Sequence, residues 1–268
     1  MYARKRGSAT GLFSNVTPPG GGIHSSHLRD EVTWMPTVSD RSYKQVFVVI
    51  PAYNEDAVLS HTVNEVLSNG FTVVVVDDGS TIPAITFLHD PSVHYLRHAT
   101  NLGQGAALQT GMEYALRQGA RIIVHFDADG QHDSKLIPRL LEPIYSGECE
   151  IVMGSRFMNP EDRTQVPFLK RLLLRAGICI SGLFSGLWLT DTHNGFRALS
   201  SLAAERIKLT ENGYAHATEI LELIRQSGLR YKEVPATIRY TEHSLAKGQS
   251  VFNSLNILFD LLVSRLLK

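Results

Sequence analysis

Short apolar runs that end in polar residues recur along the chain, and they constrain its fold more than any other feature. The clearest runs cover residues 46–50, 71–76 and 122–126, and they are rich in Val, Ile and Phe. Helix-like segments at 103–117 and 136–145 alternate with them. Such runs are typical of buried strands in a parallel sheet joined by right-handed crossovers. The pattern therefore predicts an α/β fold with a mostly parallel central sheet flanked by helices.

Three of the predicted strands end in polar clusters. Because the carboxyl ends of parallel strands lie at one edge of the sheet, these clusters are expected to converge where α/β proteins bind ligands. Such oxygen atoms suit a nucleotide, which needs acceptors for its base and ribose and a metal for its diphosphate. A simple turn is the alternative for the second cluster. The clusters are Tyr53, Asn54 and Glu55; Asp77 and Asp78; and Asp127 and Asp129.

Asp127, Asp129 and Gln131 form a candidate metal site after the third run. Their oxygen atoms suit Mg²⁺ or Mn²⁺ holding a substrate diphosphate. An acidic loop that caps the helix near Ser134, or a phosphatase with an aspartyl nucleophile, is the alternative. A calcium loop is excluded, because His132 stands where such a loop needs Gly and no Glu closes it.

Composition narrows the possible partners and compartment. The 26 Lys and Arg residues equal the 26 Asp and Glu residues, so no overall charge favours a nucleic-acid partner. Cys149 and Cys179 are the only cysteines and lack metal spacing, which indicates a reducing compartment. Residues 1–44 show little apolar periodicity and no signal-peptide core, which predicts a flexible N-terminal tail on a cytoplasmic protein.

Five motifs together resemble family 2 glycosyltransferases of the GT-A fold. The chain is most similar to the branch that includes dolichol-phosphate mannosyltransferase and bacterial polyprenyl-phosphate glycosyltransferases. The resemblance implies a GT-A domain over residues 45–249, and it argues against a phosphatase, which usually has Thr in the place of Gln131. The motifs are VVIPAYNE at 48–55, VVDDGS at 75–80, NLG at 101–103, FDADGQ at 126–131 and GSR at 154–156.

The same resemblance implies a role for each matching residue. It places the metal on Asp127, Asp129 and Gln131. It implies that the nucleotide-sugar pocket is lined by Pro51, Tyr53, Asn54, Glu55, Asp77 and Asp127.

In the resembling enzymes a later segment contains Asp followed by Gly-Phe, and this chain has Asp191 before Gly195-Phe196. Asp191 is the candidate catalytic carboxylate, which would remove the proton from an acceptor hydroxyl. A phosphate acceptor is already anionic, so Asp191 would then only orient the site. In that case Arg156 and Arg171 would pair with the incoming phosphate. A helix cap or turn is the alternative role for Asp191.

Two further stretches bear on the donor. Many relatives carry Lys where this chain has Gln104, which removes a positive charge near the nucleotide and leaves a UDP or GDP donor open. Residues 242–250 lie where relatives place a basic loop, and Arg239 and Lys247 are candidates to bind the donor diphosphate. A solvated surface loop is the alternative.

Two apolar segments predict contact with a membrane surface. Residues 168–189 are basic and then apolar, with a Trp, and they are too short to span a bilayer. Residues 250–268 predict an amphipathic C-terminal helix. Core packing is the alternative for both. Relatives often continue into transmembrane helices, whereas this chain ends at Lys268. We therefore expect the C-terminal helix to bind the membrane peripherally. Docking on a separate small membrane protein, or on a second copy in a homodimer, is the alternative.

The expected function is that of a metal-dependent inverting glycosyltransferase, a hexosyltransferase, using Mg²⁺ or Mn²⁺. It would move a sugar from a nucleotide-diphosphate sugar to polyprenyl phosphate at the cytosolic face of the membrane. Transfer to a hydroxyl of a growing cell-surface glycan is one alternative. A noncatalytic nucleotide-binding module of a membrane complex is another.

Overall fold

The computed structural model describes residues 43–158, 187, 189–191, 194–213 and 215–237. Seven strands in these ranges form one sheet, in the order β3-β2-β1-β4-β6-β5-β7. The strands are β1 (Val46–Ala52), β2 (Thr72–Asp77), β3 (His94–Arg97), β4 (Ile122–His125), β5 (Ile151–Ser155), β6 (Arg197–Ser200) and β7 (Tyr231–Pro235). The α-helices are α1 (Ala57–Ser68), α2 (Gln104–Arg117), α3 (Ile137–Tyr145), α4 (Ser201–Arg206) and α5 (His216–Ser227).

The sheet is mostly parallel, as the sequence predicts. β1 pairs in parallel with β2 and β4, β2 with β3, and β5 with β7. β6 is the exception, because it lies between β4 and β5 and is antiparallel to both. The mostly parallel sheet that the sequence predicts therefore contains one antiparallel strand, whose position the sequence did not indicate. The apolar pattern does not mark β6, since it is four residues long and begins with the charged Arg197.

Both faces of the sheet are buried, which explains why its central strands are continuous apolar runs. Val48 and Ile50 of β1 pack in the cluster that includes Leu59 of α1 and Leu140 of α3. Val49 points to the opposite face, in the cluster built from α2, α4 and α5. Each such side chain contributes roughly 1.5–3 kcal/mol by leaving water.

The described chain begins slightly before the predicted domain boundary at residue 45. Tyr43–Gln45 form a 3-10 turn, and the Tyr43 ring lies 4.7 Å from the Phe71 ring. Tyr43 and Lys44, which the sequence assigned to the N-terminal tail, are therefore part of the folded domain.

Several predictions concern residues that are not described. The remaining tail, Arg171, Arg239, Lys247 and the C-terminal helix at 250–268 lie outside the described ranges. Of the predicted membrane segment 168–189, only Leu187 and Leu189 are described, and both are buried in the core. In the portion of the chain that is described, no helix has the length and apolar character needed to cross a membrane.

Candidate active site

The strand directions bring the candidate residues to one edge of the sheet. β1, β2, β4 and β5 run in the same direction, so their carboxyl ends share that edge. Because β6 runs the opposite way, the residues before it reach the same edge. The segments after β4 and β5 therefore meet the segment before β6, which carries Asp191 and Gly195.

Asp127 lies just beyond β4 and is held from two sides. Gln104 Nε2 donates to its Oδ1 at 3.1 Å, and His132 Nε2 lies 3.1 Å from its Oδ2. Burial by itself would raise the pKa of Asp127. The hydrogen bond from His132 and the positive charge of Arg197 outweigh burial and hold that pKa below its ordinary value. Asp127 is therefore ionised at neutral pH.

The close approach of Asp127 to the segment before β6 requires a glycine at position 195. A Cβ at Gly195 would lie 2.7 Å from Asp127 Oδ2 and 3.0 Å from Oδ1. No side chain fits there unless the carboxylate moves. This contact gives a physical reason for Gly195 in the Gly-Phe motif.

Gln104 reaches Asp127 from the first turn of α2. The N–H of Gly105 donates to the carbonyl of Asn212 at 2.8 Å, and a Cβ on Gly103 or Gly105 would collide with the backbone of residues 211–212. The two glycines thus let that loop pack directly on the helix start. The sequence showed Gln104 only as a departure from relatives, and the structure places it on a candidate metal ligand.

Asp129 lies on the same loop, in surroundings that oppose its negative charge. Its Oδ1 accepts the N–H of Gln131 at 3.0 Å. Burial and, after it, the negative charge of Asp127 raise the pKa of Asp129 above its ordinary value, and Glu55 adds to the effect. A cation bound between these carboxylates would relieve their repulsion.

Asp127, Asp129 and Gln131 fit an ion of the magnesium type. No three His, Cys, Asp or Glu side chains among the described residues are grouped closely enough to hold an ion alone. Mg²⁺ is commonly bound by one or two carboxylates together with water and substrate phosphates, so a closed protein cage is not required. When bound here, Mg²⁺ or Mn²⁺ would neutralise charge developing on a departing diphosphate.

Asp191 and Arg156 form a bidentate ion pair at the same edge. Arg156 Nε donates to Asp191 Oδ2 at 2.6 Å, and Nη2 donates to Oδ1 at 2.7 Å. The Arg156 backbone N–H adds a bond to Oδ2 at 3.1 Å. Asp191 is only 3% exposed. Both oxygens are therefore occupied, which fits an orienting role better than the role of a free base.

A side chain that sequence reasoning missed fixes the position of Asp191. Glu233 of β7 accepts the N–H of Asp191 at 3.1 Å and the N–H of Thr190 at 2.9 Å. The Thr190 hydroxyl also lies 2.6 Å from Ser155 Oγ at the end of β5. Glu233 is distant in sequence and lies on an edge strand without apolar alternation, so no local pattern marks it.

Asp77, predicted to line the nucleotide pocket, is turned inward. Its oxygens accept the N–H groups of Ser80 at 2.8 Å and Ala84 at 2.9 Å, and the Tyr95 hydroxyl at 2.7 Å. Burial acts to raise the pKa of Asp77, but these hydrogen bonds outweigh it and lower that pKa. The geometry supports the turn role that the sequence left open, in which Asp77 shapes the pocket without offering it an unengaged oxygen.

The first polar cluster leaves one large side chain in solvent. Asn54 has a positive φ of 51°, donates its N–H to Ser80 Oγ and accepts the N–H of Thr81, both at 2.9 Å. Tyr53 is 49% exposed, whereas Pro51 and Glu55 are half-buried. The Tyr53 ring is thus accessible to a ligand.

Arg197 and His125 face each other beneath the site, and neither was among the predicted site residues. They are opposite one another in the β4–β6 ladder and both are buried. Burial and then the charge of Arg197 lower the pKa of His125 to about 3, so its ring is neutral. Burial lowers the pKa of Arg197 to about 10, against the opposing effects of Asp127 and Asp191. Arg197 therefore stays positive and acts on both carboxylates.

A mostly parallel sheet with acidic residues and an arginine–carboxylate pair at one edge agrees with the GT-A class of sugar-nucleotide transferases that the sequence resembles. Residues 47–203 match the model of Glycosyl transferase family 2, and the chain belongs to that family. The predicted fold class and the predicted class of enzyme, a glycosyltransferase, are confirmed.

Named relatives resemble the chain over most of their length. It is 32% identical over 243 residues to the UDP-N-acetylglucosamine–dolichyl-phosphate N-acetylglucosaminyltransferase of Methanococcus voltae, covering 83% of this chain and 97% of that one. It is 30% identical over 215 residues to the undecaprenyl-phosphate mannosyltransferase of Micrococcus luteus, covering 76% and 87%. An uncharacterized protein of Methanocaldococcus jannaschii is 34% identical over 232 residues, with 85% and 96% covered.

Proposed function

We propose that this glycosyltransferase moves a sugar from a UDP- or GDP-linked donor to a polyprenyl phosphate, with inversion at the sugar carbon. The observation that carries the proposal is the engagement of both Asp191 oxygens by Arg156. An acceptor hydroxyl needs a base, whereas an acceptor phosphate is already anionic near neutral pH. The names of the relatives that act on dolichyl and undecaprenyl phosphate support the same acceptor class.

In the proposed reaction an acceptor phosphate oxygen attacks the anomeric carbon from the face opposite the nucleotide. The new carbon–oxygen bond forms as the bond to the diphosphate breaks, and the diphosphate leaves with the electron pair. Asp191 fixes the plane of the Arg156 guanidinium, so that its charge is already oriented for the incoming phosphate. Arg171 is proposed as a second phosphate ligand, because a guanidinium pairs well with an incoming phosphate.

On the donor side, Asp127, Asp129 and Gln131 would hold the metal ion against the diphosphate. Tyr53 and its neighbours at 51–55 would contact the nucleotide, and Asp77 would keep the adjoining turn in shape. Family membership supports a divalent ion. Arg239 and Lys247 are proposed to bind the diphosphate from the basic loop, again from the resemblance.

A polyprenyl phosphate is a membrane lipid, so the protein would work at the cytosolic face of the membrane. We propose that it binds there peripherally, through the part of the 168–189 segment that precedes the buried Leu187 and through residues 250–268. Flotation with liposomes that contain anionic lipid tests this, because a basic and apolar surface should bind them more tightly than neutral liposomes.

The acceptor is tested with two lipids that differ in a single group. Purified protein is incubated with UDP- and GDP-sugars, Mg²⁺ or Mn²⁺, and either undecaprenyl phosphate or undecaprenol, with dolichyl phosphate and dolichol as a second pair. We expect a lipid-linked sugar only with the phosphates, and none after a chelator is added. Transfer to the alcohols alone would establish a hydroxyl acceptor. No product with any donor would overturn the acceptor assignment.

A pair of variants on one loop tests the metal-binding side. Asp129→Ala should abolish transfer because it removes a proposed ligand. Asp133→Ala is the matched control, since the Asp133 carboxylate accepts the N–H of Lys135 and caps a 3-10 turn. Loss of that cap costs about 1 kcal/mol of stability but should leave metal-dependent transfer intact. Equal activity of the Asp129→Ala variant and the wild type would contradict the metal assignment.

A further inference from the structure

Thr62 is a polar residue on the buried face of α1. The other buried residues of that helix with described side chains are Leu59, Val63 and Val66, and Thr62 itself is 2% exposed. Its hydroxyl donates to the carbonyl oxygen of Ala128 at 3.2 Å. This bond joins residues 66 positions apart, so it belongs to the tertiary structure and not to a local turn.

The carbonyl that Thr62 binds lies between the two candidate metal carboxylates, Asp127 and Asp129. The loop turns at Gly130, which has a positive φ of 71°. A side chain at Gly130 would point at α1, since its Cβ would lie 3.4 Å from Val58 Cγ1 and 3.7 Å from Thr62 Oγ1. One face of α1 therefore supports the loop along this turn.

The two carboxylates depend on this support to different extents. Asp127 is held by Gln104, from the first turn of α2, as well as by His132 near the end of the same loop. The hydrogen bond that the structure gives Asp129 comes from Gln131, within the same loop. The position of Asp129 therefore follows the backbone of the loop, and Thr62 anchors that backbone one residue before it.

We propose that Thr62 is a positioning residue for the metal site, which fixes the Ala128 carbonyl and through it the separation of Asp127 and Asp129. The inference rests on the proposed function, because it assumes that these carboxylates bind the ion together. Without the hydroxyl, the Ala128–Asp129 peptide can rotate and move one ligand relative to the other. Metal binding then weakens although neither ligand has been changed.

The test compares Thr62→Val, which keeps the shape but removes the hydroxyl, with Thr62→Ser, which keeps the hydroxyl. Binding of Mn²⁺ alone is measured by electron paramagnetic resonance, without donor or acceptor. We expect Thr62→Val to weaken Mn²⁺ binding about tenfold, the size of effect produced by one lost hydrogen bond, and Thr62→Ser to restore most of it. In transfer assays the Mn²⁺ concentration for half-maximal rate should rise by the same factor.

Val66→Ala supplies the control for a purely structural effect. Val66 is fully buried on the same helix, so this variant should lower the melting temperature while leaving Mn²⁺ binding unchanged. The inference would be overturned by wild-type Mn²⁺ affinity in Thr62→Val, by equal losses of affinity in Thr62→Val and Thr62→Ser, or by an equal loss in Val66→Ala. It would also be overturned if the wild-type protein bound no Mn²⁺. A wild-type protein that binds Mn²⁺ but glycosylates no lipid phosphate would refute the proposed acceptor alone.

Discussion

Arg156 binds both carboxylate oxygens of Asp191, with Nε and Nη2 at 2.6 and 2.7 Å. Two parallel hydrogen bonds fix the orientation of the guanidinium, in addition to bringing the two opposite charges together. Removing one partner of such a buried pair costs roughly 3 kcal/mol when burial is complete, and less here because the Arg156 side chain is 29% exposed. The pair is thus both a structural contact and the centre of the proposed acceptor site.

Asp191→Asn should retain measurable transfer to polyprenyl phosphate. The Asn side chain has an NH₂ donor in the place of one carboxylate oxygen, so Arg156 loses one of its two parallel bonds and its fixed orientation, and the acceptor KM should rise about tenfold or more. Steady-state kinetics with undecaprenyl phosphate would measure this. Arg156→Lys should show a similar rise, because an ammonium cannot form the two parallel bonds. A fall in kcat of about 10⁴-fold with an unchanged acceptor KM would instead identify Asp191 as a general base.

Gly195→Ala should strongly reduce transfer, because the new Cβ would lie 2.7 Å from Asp127 Oδ2 and displace the carboxylate. A displacement of this kind can lower the rate by about 10²-fold. Gly213→Ala is the matched control, since a Cβ there has no atom within 4 Å. Rates measured at saturating metal, with melting temperatures for both variants, would test the prediction. Full activity in Gly195→Ala would show that Asp127 need not stay where the structure places it.

Gln104→Lys should raise the metal concentration needed for transfer. The amide that donates to Asp127 Oδ1 at 3.1 Å is neutral, whereas an ammonium would place a positive charge on a carboxylate proposed to bind the ion. Gln104→Met removes the hydrogen bond without adding charge. Mn²⁺ titrations of the two variants separate these effects, with the larger shift, about tenfold, expected for Lys. A larger shift for Met would mean that the hydrogen bond matters more than the charge.

Tyr95→Phe should destabilise the fold by about 2 kcal/mol at neutral pH, since it removes a hydrogen bond to the buried, ionised Asp77. The folded-state pKa of Asp77 lies below 3.8, so its contribution is present above pH 3.8 and is lost as the pH falls through that lowered pKa. The stability difference between wild type and variant should therefore shrink in acid. Urea denaturation at neutral and acidic pH measures it, and a difference that is constant or grows in acid would contradict the assignment.

The sequence predicted best the strands and helices whose burial can be read from the local pattern of apolar residues. The strand expected at 71–76 is observed at Thr72–Asp77, and the helix expected at 103–117 is observed at Gln104–Arg117. Runs of Val and Ile buried on both faces leave little ambiguity, and Gly103, with a φ of 103°, marks the helix start. The acidic strand ends followed from the same pattern, because parallel strands share an edge.

What the sequence missed depends on contacts between distant segments. Arg197 begins a buried strand, whereas a charged residue normally indicates exposure. Glu233 reaches Asp191 from 42 positions away, and the Thr62 bond spans 66. Contacts between residues so far apart in sequence leave no periodic pattern in the chain. For Asp77 the sequence left both a pocket role and a turn role open, and only the structure shows that the N–H groups of Ser80 and Ala84 and the Tyr95 hydroxyl occupy its oxygens.

The direction of β6 has a consequence for how an enzyme of this kind can acquire a new substrate specificity. The loop with the proposed metal ligands follows β4, and the Arg156–Asp191 pair joins the end of β5 to the segment before β6. The three strands are linked by continuous backbone ladders. In the proposed reaction the spacing between leaving group and acceptor is therefore set by the sheet itself. Surface loops can diversify to accept another sugar or lipid without disturbing that spacing, whereas a β6 of the opposite polarity would carry Asp191 to the far end of the sheet.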